Sequence, residues 1–213
     1  GYLFGQYKRL VNRYDEAITG KHINYGGLNG RTEATGYGIV YFANCMLEAN
    51  GEKMAGKKVV ISGFGNVAWG TACKLDELGA KVIAFSGPDG YILDEAGVSG
   101  EKIDYMIDLR NSGKNICQPY ADKFPGSKFI PGKKPWEVKA DLYIPCAMQN
   151  DIRLEDAKNI LASGAKFLCE RANMPTTNEA LEYLMKNGVI IGPCKAANAG
   201  GVACSCIEMG QNA

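Results

Sequence analysis

The chain has 213 residues, 46% of them hydrophobic, with 24 Lys and Arg against 23 Asp and Glu and a formal net charge of +1. That length and apolar content suit one domain, or a domain with appendages, and exclude a disordered chain. Interspersed, near-neutral charge leaves no electrostatic footprint for nucleic acid or an anionic membrane, and no apolar run approaches the roughly 18 residues that read as a bilayer span.

The opening Gly1-Tyr2-Leu3-Phe4 lacks a signal-peptide layout, so a cytoplasmic protein is expected. An apolar stripe (Tyr2, Leu3, Phe4, Tyr7, Leu10, Val11, Tyr14) starts at once with neither Met nor a cap, and the chain reads as cut from something longer. The stripe predicts an amphipathic helix over 2–18, with Lys8, Arg9, Asn12, Arg13, Asp15 and Glu16 on its wet side. From Thr19 to Gly30 the sequence turns polar and glycine-rich, as a hinge or domain edge would. Helical spacing resumes over Thr32–Ala49 until Asn50-Gly51 stops it. Arg31 and Thr35 open that helix beside Gly36 and Gly38, where backbone could approach a ligand.

Val59–Ser62 then suit a buried parallel strand. It enters Gly63-Phe64-Gly65-Asn66-Val67-Ala68, a GxGxxA turn, and a helix follows from Asn66 until Gly79 caps it. Val82–Phe85 supply the next strand, completing a βαβ unit of about 27 residues. In such a unit the turn aims backbone N–H groups and the helix's positive end at a pyrophosphate. Gly65 admits the phosphate, and Ala68 lets helix and strand pack closely. Asp89 lies 21 residues past Ala68, where an acid that accepts from the adenosine ribose hydroxyls belongs. No Lys or Arg occurs between Phe85 and Tyr91 to meet a 2′-phosphate, which favours NAD over NADP.

Glu101–Asn111 reads as a helix, and Pro119–Pro135 as mostly connection. Asp141–Ile144 reads as a strand ending in the amide-rich loop to Asn150, with Asp151 placed to cap a helix near Leu154. Ala165–Cys169 and Val189–Ile191 add two strands, and Lys195–Gly201 packs small residues before a helix over Val202–Met209. These elements, with six strands at most, predict an α/β fold: a Rossmann-like, doubly wound, mostly parallel sheet with helices on both faces. Residues 1–30 would form a helix and hinge segment and residues 31–213 a dinucleotide-binding domain. Asn66, Asn150, Asn173 and Asn198 all fall at strand ends, where amides can hold a carboxamide or ribose hydroxyls. The eight cysteines contain no CxxC pair and read as reduced thiols, and Cys204, Cys206 and the single His22 make too poor a ligand set for a metal to be expected.

Four stretches carry a family resemblance: Arg31-Thr32-Glu33-Ala34-Thr35-Gly36-Tyr37-Gly38, Gly63 to Gly70, Ala172-Asn173-Met174-Pro175-Thr176-Thr177-Asn178-Glu179-Ala180 and Asn198-Ala199-Gly200-Gly201-Val202. With them the chain resembles the dinucleotide-binding half of the hexameric bacterial-type glutamate dehydrogenases. The resemblance implies reversible oxidative deamination of L-glutamate to 2-oxoglutarate, with NAD as hydride acceptor, in a homo-hexamer. It implies Thr35 and Asn66 near the nicotinamide carboxamide, Asn173 beside the nicotinamide ribose, and Asn198, Val202 and Ser205 lining the substrate end with Arg31 nearby. Phe64 and Asp89 resemble the NAD-linked branch, whereas Met148 departs from the threonine usual before Gln149-Asn150. The family's catalytic aspartate and lysines belong to a domain absent from this chain, so cofactor binding without turnover is expected. A silent nucleotide-sensing module, an NADP-linked enzyme and a branched-chain or aromatic amino-acid dehydrogenase are the alternatives.

Overall fold

The computed structural model describes residues 1–14 and 18–213. Helix α1 (Tyr2–Val11) stops short of the predicted 18, because Asn12 takes a left-handed conformation (φ 52°) that asparagine tolerates. The predicted wet-side residues Asp15 and Glu16 lie outside the described residues. Phe4 is buried with Tyr14 edge-on against it and Tyr7 is half-buried, while Tyr2, Leu3 and Leu10 stay exposed. A 3₁₀ turn at Ile23–Tyr25 interrupts the glycine-rich loop before α2 (Arg31–Ala49).

The βαβ unit forms as read: β1 (Lys58–Ser62), α3 (Asn66–Glu77) and β2 (Lys81–Gly87), with Gly79 at φ 75° ending the helix. Beyond it the sequence reading missed four elements, two strands and two short helices, the second helix being Cys194–Ala197 within the stretch read as small residues before a helix. Strand β3 (Gly90–Leu93) returns antiparallel to β2, and β4 (Lys128–Pro131) pairs antiparallel with β3. Between them lie α4 (Glu101–Asn111), as predicted, and the unpredicted α5 (Gln118–Lys123). Next come β5 (Leu142–Pro145), α6 (Leu154–Ala162), β6 (Phe167–Cys169), α7 (Asn178–Lys186), β7 (Ile190–Gly192), α8 (Cys194–Ala197) and α9 (Ala199–Gln211).

Among the described residues the sheet therefore has seven strands, one more than expected, in the order β4-β3-β2-β1-β5-β6-β7. The five from β2 to β7 run parallel. The chain winds outward from β1 to β4 on one side and from β5 to β7 on the other, so β1 and β5 meet at the switch point where open α/β sheets bind ligands.

Strand alternation divides the interior into two cores. Val59, Ile61, Leu142, Ile144 and Phe167 join residues of α2, α3, α4 and α5 on one face. Val60, Tyr143 and Leu168 join Trp136 and residues of α6 and α7 on the other. In β2 the pairing moves from Val59↔Val82 to Val60↔Ala84, making Ile83 an extra residue. Ile83 and Ala84 thus enter the second core together and Phe85 returns to the first. There Phe64, Trp69, Phe85 and Tyr120 stack edge-on with successive centroids 5.4, 5.2 and 5.2 Å apart. Each such pair contributes about 0.5–1.5 kcal/mol beyond its burial, and the chain of rings locks the start of α3 to the sheet.

Candidate functional site

The glycine turn sits at the carboxyl end of β1. Gly63 has φ 98°, and a Cβ there would stand 3.0 Å from backbone atoms of Cys146 and Ala147, so glycine is needed for the turn to abut the loop after β5. Gly65 differs: its φ is −81°, and a Cβ would point into open space. Gly65 caps α3 with no side-chain hydrogen bond, which leaves the first-turn N–H groups of a 12-residue helix facing that space. Helix N-termini of this kind accept phosphate oxygens, and Ala68, fully buried, keeps helix and strand close. The turn has the bare amides and the room that a dinucleotide pyrophosphate requires.

Buried Ser62, Asp151 and Ser86, with the exposed Lys134, hold the turn from behind. Ser62 Oγ donates to Asp151 at 2.6 Å, Lys134 Nζ pairs with the same carboxylate at 2.9 Å, and the N–H of Gly63 donates to Ser86 Oγ at 3.2 Å. Asp151 is therefore not the predicted helix cap. The capping of α6 falls to Arg153, whose N–H donates to Asp156, because Asp151 is drawn inward to satisfy Ser62. Phe64 also turns inward onto Trp69, whose indole N–H donates to the Phe64 carbonyl at 3.2 Å, while Val67 is half-buried. Arg110, which the sequence reading missed, donates to Asn66 Oδ1 at 2.8 Å and to the Phe64 carbonyl at 3.1 Å. The Asn66 amide thus faces α4.

Asp89 occupies the hairpin turn between β2 and β3, near Phe64 and Gly87. Its carboxylate accepts the backbone N–H groups of Cys117 at 2.8 Å and Gln118 at 3.0 Å, holding the start of α5. The sequence reading gave it no such duty. Lys81 lies at the opposite end of β2, away from this turn.

A cleft of about 530 Å³ opens among the ends of β5 and β6 and the starts of α2 and α9. It brings together Arg31, Thr35, Asn173, Asn198, Val202 and Ser205, six of the residues singled out in sequence. Arg31 Nε donates to Ser205 Oγ at 2.9 Å, and Asn198 Nδ2 donates to Asn173 Oδ1 at 3.0 Å. Asn66, Asp89 and the glycine turn stand outside its walls; Asn150, at φ 53°, is exposed and its N–H donates to the Met174 carbonyl. Ala147 connects the two regions, touching the glycine turn at Gly63 and lining the cleft.

Gly36 and Gly38 do not face a ligand. A Cβ on Gly36 would lie 2.7 Å from the Thr71 nitrogen and one on Gly38 would lie 2.8 Å from Gly200 Cα, so these glycines let α2 pack against α3 and α9. Arg171 is the second residue missed: it lines the cleft, its Nε is buried without a partner among the described residues, and burial lowers the guanidinium's pKa. A lone arginine in a loop carries no periodic signal that sequence reading could use.

The chain matches the family model for glutamate/leucine/phenylalanine/valine dehydrogenases over residues 26–213. It is 54% identical over 213 residues to the NAD-specific glutamate dehydrogenase of Bacteroides fragilis, covering all of this chain and 48% of that protein. It is 46% identical to the NADP-specific glutamate dehydrogenase of Haemophilus influenzae, with all of this chain and 47% of that protein covered. Among solved structures, one titled glutamate dehydrogenase superposes with a TM-score of 0.96 at 52% identity, covering all of this chain and 48% of that one. A Plasmodium falciparum glutamate dehydrogenase superposes at 0.95 with 42% identity, covering all of this chain and 45% of its own. The chain spans about half the length of the relatives it matches.

Proposed function

The chain belongs to the glutamate/leucine/phenylalanine/valine dehydrogenase family, and from that premise we propose that it is the dinucleotide-binding part of an NAD-linked glutamate dehydrogenase. The observation that carries the reading is the GxGxxA turn at the sheet's switch point, with Gly65 opening onto the uncapped start of α3. In this reading Gly63, Gly65, Asn66, Val67 and Ala68 bind the pyrophosphate through backbone N–H groups, with Phe64 fixing the turn from within. Asp89, beside Phe64, takes the adenosine ribose hydroxyls and favours NAD over NADP. Thr35 meets the nicotinamide carboxamide, with Asn66 contributing at the turn; Asn150, Asn173 and Asn198 serve the nicotinamide ribose side.

Bound NAD would supply the hydride acceptor. The chain's own part is to hold the ring at the cleft and present Arg31, Val202 and Ser205 to L-glutamate or 2-oxoglutarate. Proton transfer needs a tuned acid or base, and polarising the reacting carbon needs a cation. The resemblance assigns both to a further domain, so the 213 residues bind coenzyme without turning over, and with that domain they assemble as a homo-hexamer.

The test is a calorimetric titration of the chain with NADH and with NADPH, repeated on Gly65→Ala. The chain binds NADH more tightly than NADPH. Gly65→Ala folds normally, since alanine adopts φ −81° and its Cβ meets open space, yet it loses NADH affinity by on the order of ten-fold or more because the methyl occupies the phosphate's approach. Normal NADH binding by that variant would overturn the reading.

A further inference from the structure

A second cavity, of about 580 Å³, lies against the second core at the amino end of β1, away from the glycine turn at that strand's other end. Ile83, Tyr91, Leu93, Val138 and Ala140 give it an apolar floor. Tyr91 is only 7% exposed, and among the described residues its hydroxyl has no hydrogen-bond partner. A nearly desolvated, unpaired hydroxyl is costly, and a polar group delivered into the cavity recovers that cost. Burial, and after it the Glu137 carboxylate, pushes the Tyr91 phenol up, so the hydroxyl keeps its proton at neutral pH. The charges around this floor are unequal. Glu95, Glu137 and Asp141 line the cavity against Lys58 and Lys139. Helix α6 also ends there, at Ser163 and Gly164, and brings the negative end of its dipole. Among the described residues Glu95, Glu137, Lys58 and Lys139 have no ion-pair partner, while Asp141 accepts the backbone N–H of Lys58 at 2.8 Å.

We infer that this cavity is a binding site for an organic ammonium ion with an apolar body. The floor takes the body, and a few polar groups fix the head, as in small-molecule sites generally. An ammonium is a donor without acceptors. It meets the Glu137 carboxylate and the Tyr91 oxygen, and the face of the Tyr91 ring adds a cation–π attraction. A carboxylate head in the same place faces three acids and a helix carboxyl end. A neutral head of the same shape leaves the negative balance unanswered. The inference does not depend on the coenzyme reading, since the cavity shares no lining residue with the cleft or the glycine turn.

The experiment titrates the isotope-labelled 213-residue chain with phenethylammonium, 3-phenylpropanoate and 2-phenylethanol, which set a cationic, an anionic and a neutral head on one apolar body, and follows amide shifts by NMR. Phenethylammonium binds saturably, at about millimolar affinity as suits so small a ligand, and about five-fold or more tightly than either other probe. Shifts concentrate at Tyr91, Leu93, Val138 and Ser163 and spare Gly63 and Gly65, and saturating NADH leaves the affinity unchanged. Glu137→Gln weakens phenethylammonium by roughly 5- to 10-fold and Tyr91→Phe by roughly 2- to 10-fold. Both variants keep the fold, because Glu137 is exposed and the Tyr91 hydroxyl has no partner to lose. Glu137→Lys leaves two acids against three lysines in the lining, so 3-phenylpropanoate now binds more tightly than phenethylammonium. The proposal is overturned if the parent binds phenethylammonium without saturation, if either other probe matches it, if NADH displaces it, or if Glu137→Lys keeps the preference for the cation.

Discussion

Glu208 offers the sharpest test of how the amino-terminal segment is held. It sits on α9, and its carboxylate receives Lys21 Nζ at 2.7 Å, the N–H of Gly20 at 2.7 Å and the N–H of Lys21 at 3.2 Å. The two side chains are 1% and 0% exposed. Glu208→Gln removes the charge and leaves the Lys21 ammonium with the Ile18 carbonyl at 2.7 Å and the Phe4 ring at 5.3 Å. Breaking a buried pair in this way costs about 3–5 kcal/mol, because the surviving charge stays desolvated. For a domain of this size that lowers the thermal midpoint by roughly 6–20 °C. Lys21→Met combined with Glu208→Gln recovers most of the loss, since no charge is stranded and the glutamine carbonyl still accepts from the backbone N–H groups that Glu208 holds. Burial pushes the Glu208 carboxyl up, but the Lys21 hydrogen bond and the two backbone N–H groups prevail and hold it below its usual value. Its folded pKa thus lies below its unfolded one, so the contribution is present above the unfolded carboxylate range and fades as pH falls through the depressed folded value. Thermal denaturation of the two single variants and the double variant, from pH 7 to pH 3, reads all of this. A single-variant loss below about 1 kcal/mol, the scale of an exposed pair, or a double variant less stable than either single, refutes the reasoning.

Asp89→Ala loses an N-terminal cap on α5, costing about 1 kcal/mol in chemical denaturation, and weakens NADH more than NADPH in calorimetry; equal losses would confine Asp89 to α5. Asp151→Ala leaves the buried Ser62 hydroxyl without its acceptor behind the glycine turn and costs about 1–3 kcal/mol, with NADH affinity falling alongside; unchanged denaturation would show that the cluster does not brace the turn. Burial pushes the Cys146 thiol up to about 12 and raises Cys117 and Cys169 further. Iodoacetamide at pH 8 therefore alkylates exposed Cys45 and Cys206 first in peptide mass mapping, and early labelling of Cys146 would contradict its burial.

Much of the fold was legible because its central elements carry their own local signals. Val59–Ser62 is an apolar β-branched run, Gly63 and Gly79 need positive φ, and the helix between them has its apolar residues at helical spacing. These are properties of neighbouring residues and survive without tertiary context. The edge hairpin is different. Strands β3 and β4 are four residues each, β4 is only partly buried, and antiparallel pairing with a neighbour is what makes them strands. Helix α5 follows the same rule, since its start is held by the carboxylate of Asp89 from 28 residues away.

The candidate site divides along the same line. Sequence by itself determined the glycine turn and the set of amides at strand ends, because turn chemistry and strand boundaries are local. Tertiary structure decided which of those residues meet: Asn173 and Asn198 are hydrogen-bonded to each other in the cleft lining while Asn66 is taken by Arg110. It also decided that Gly36 and Gly38 serve helix packing, that Asp151 braces β1 rather than capping α6, and that Arg171 stands in the cleft without a counter-charge. A charge or a small residue acquires its role from what the fold sets against it, and those partners come from distant parts of the chain.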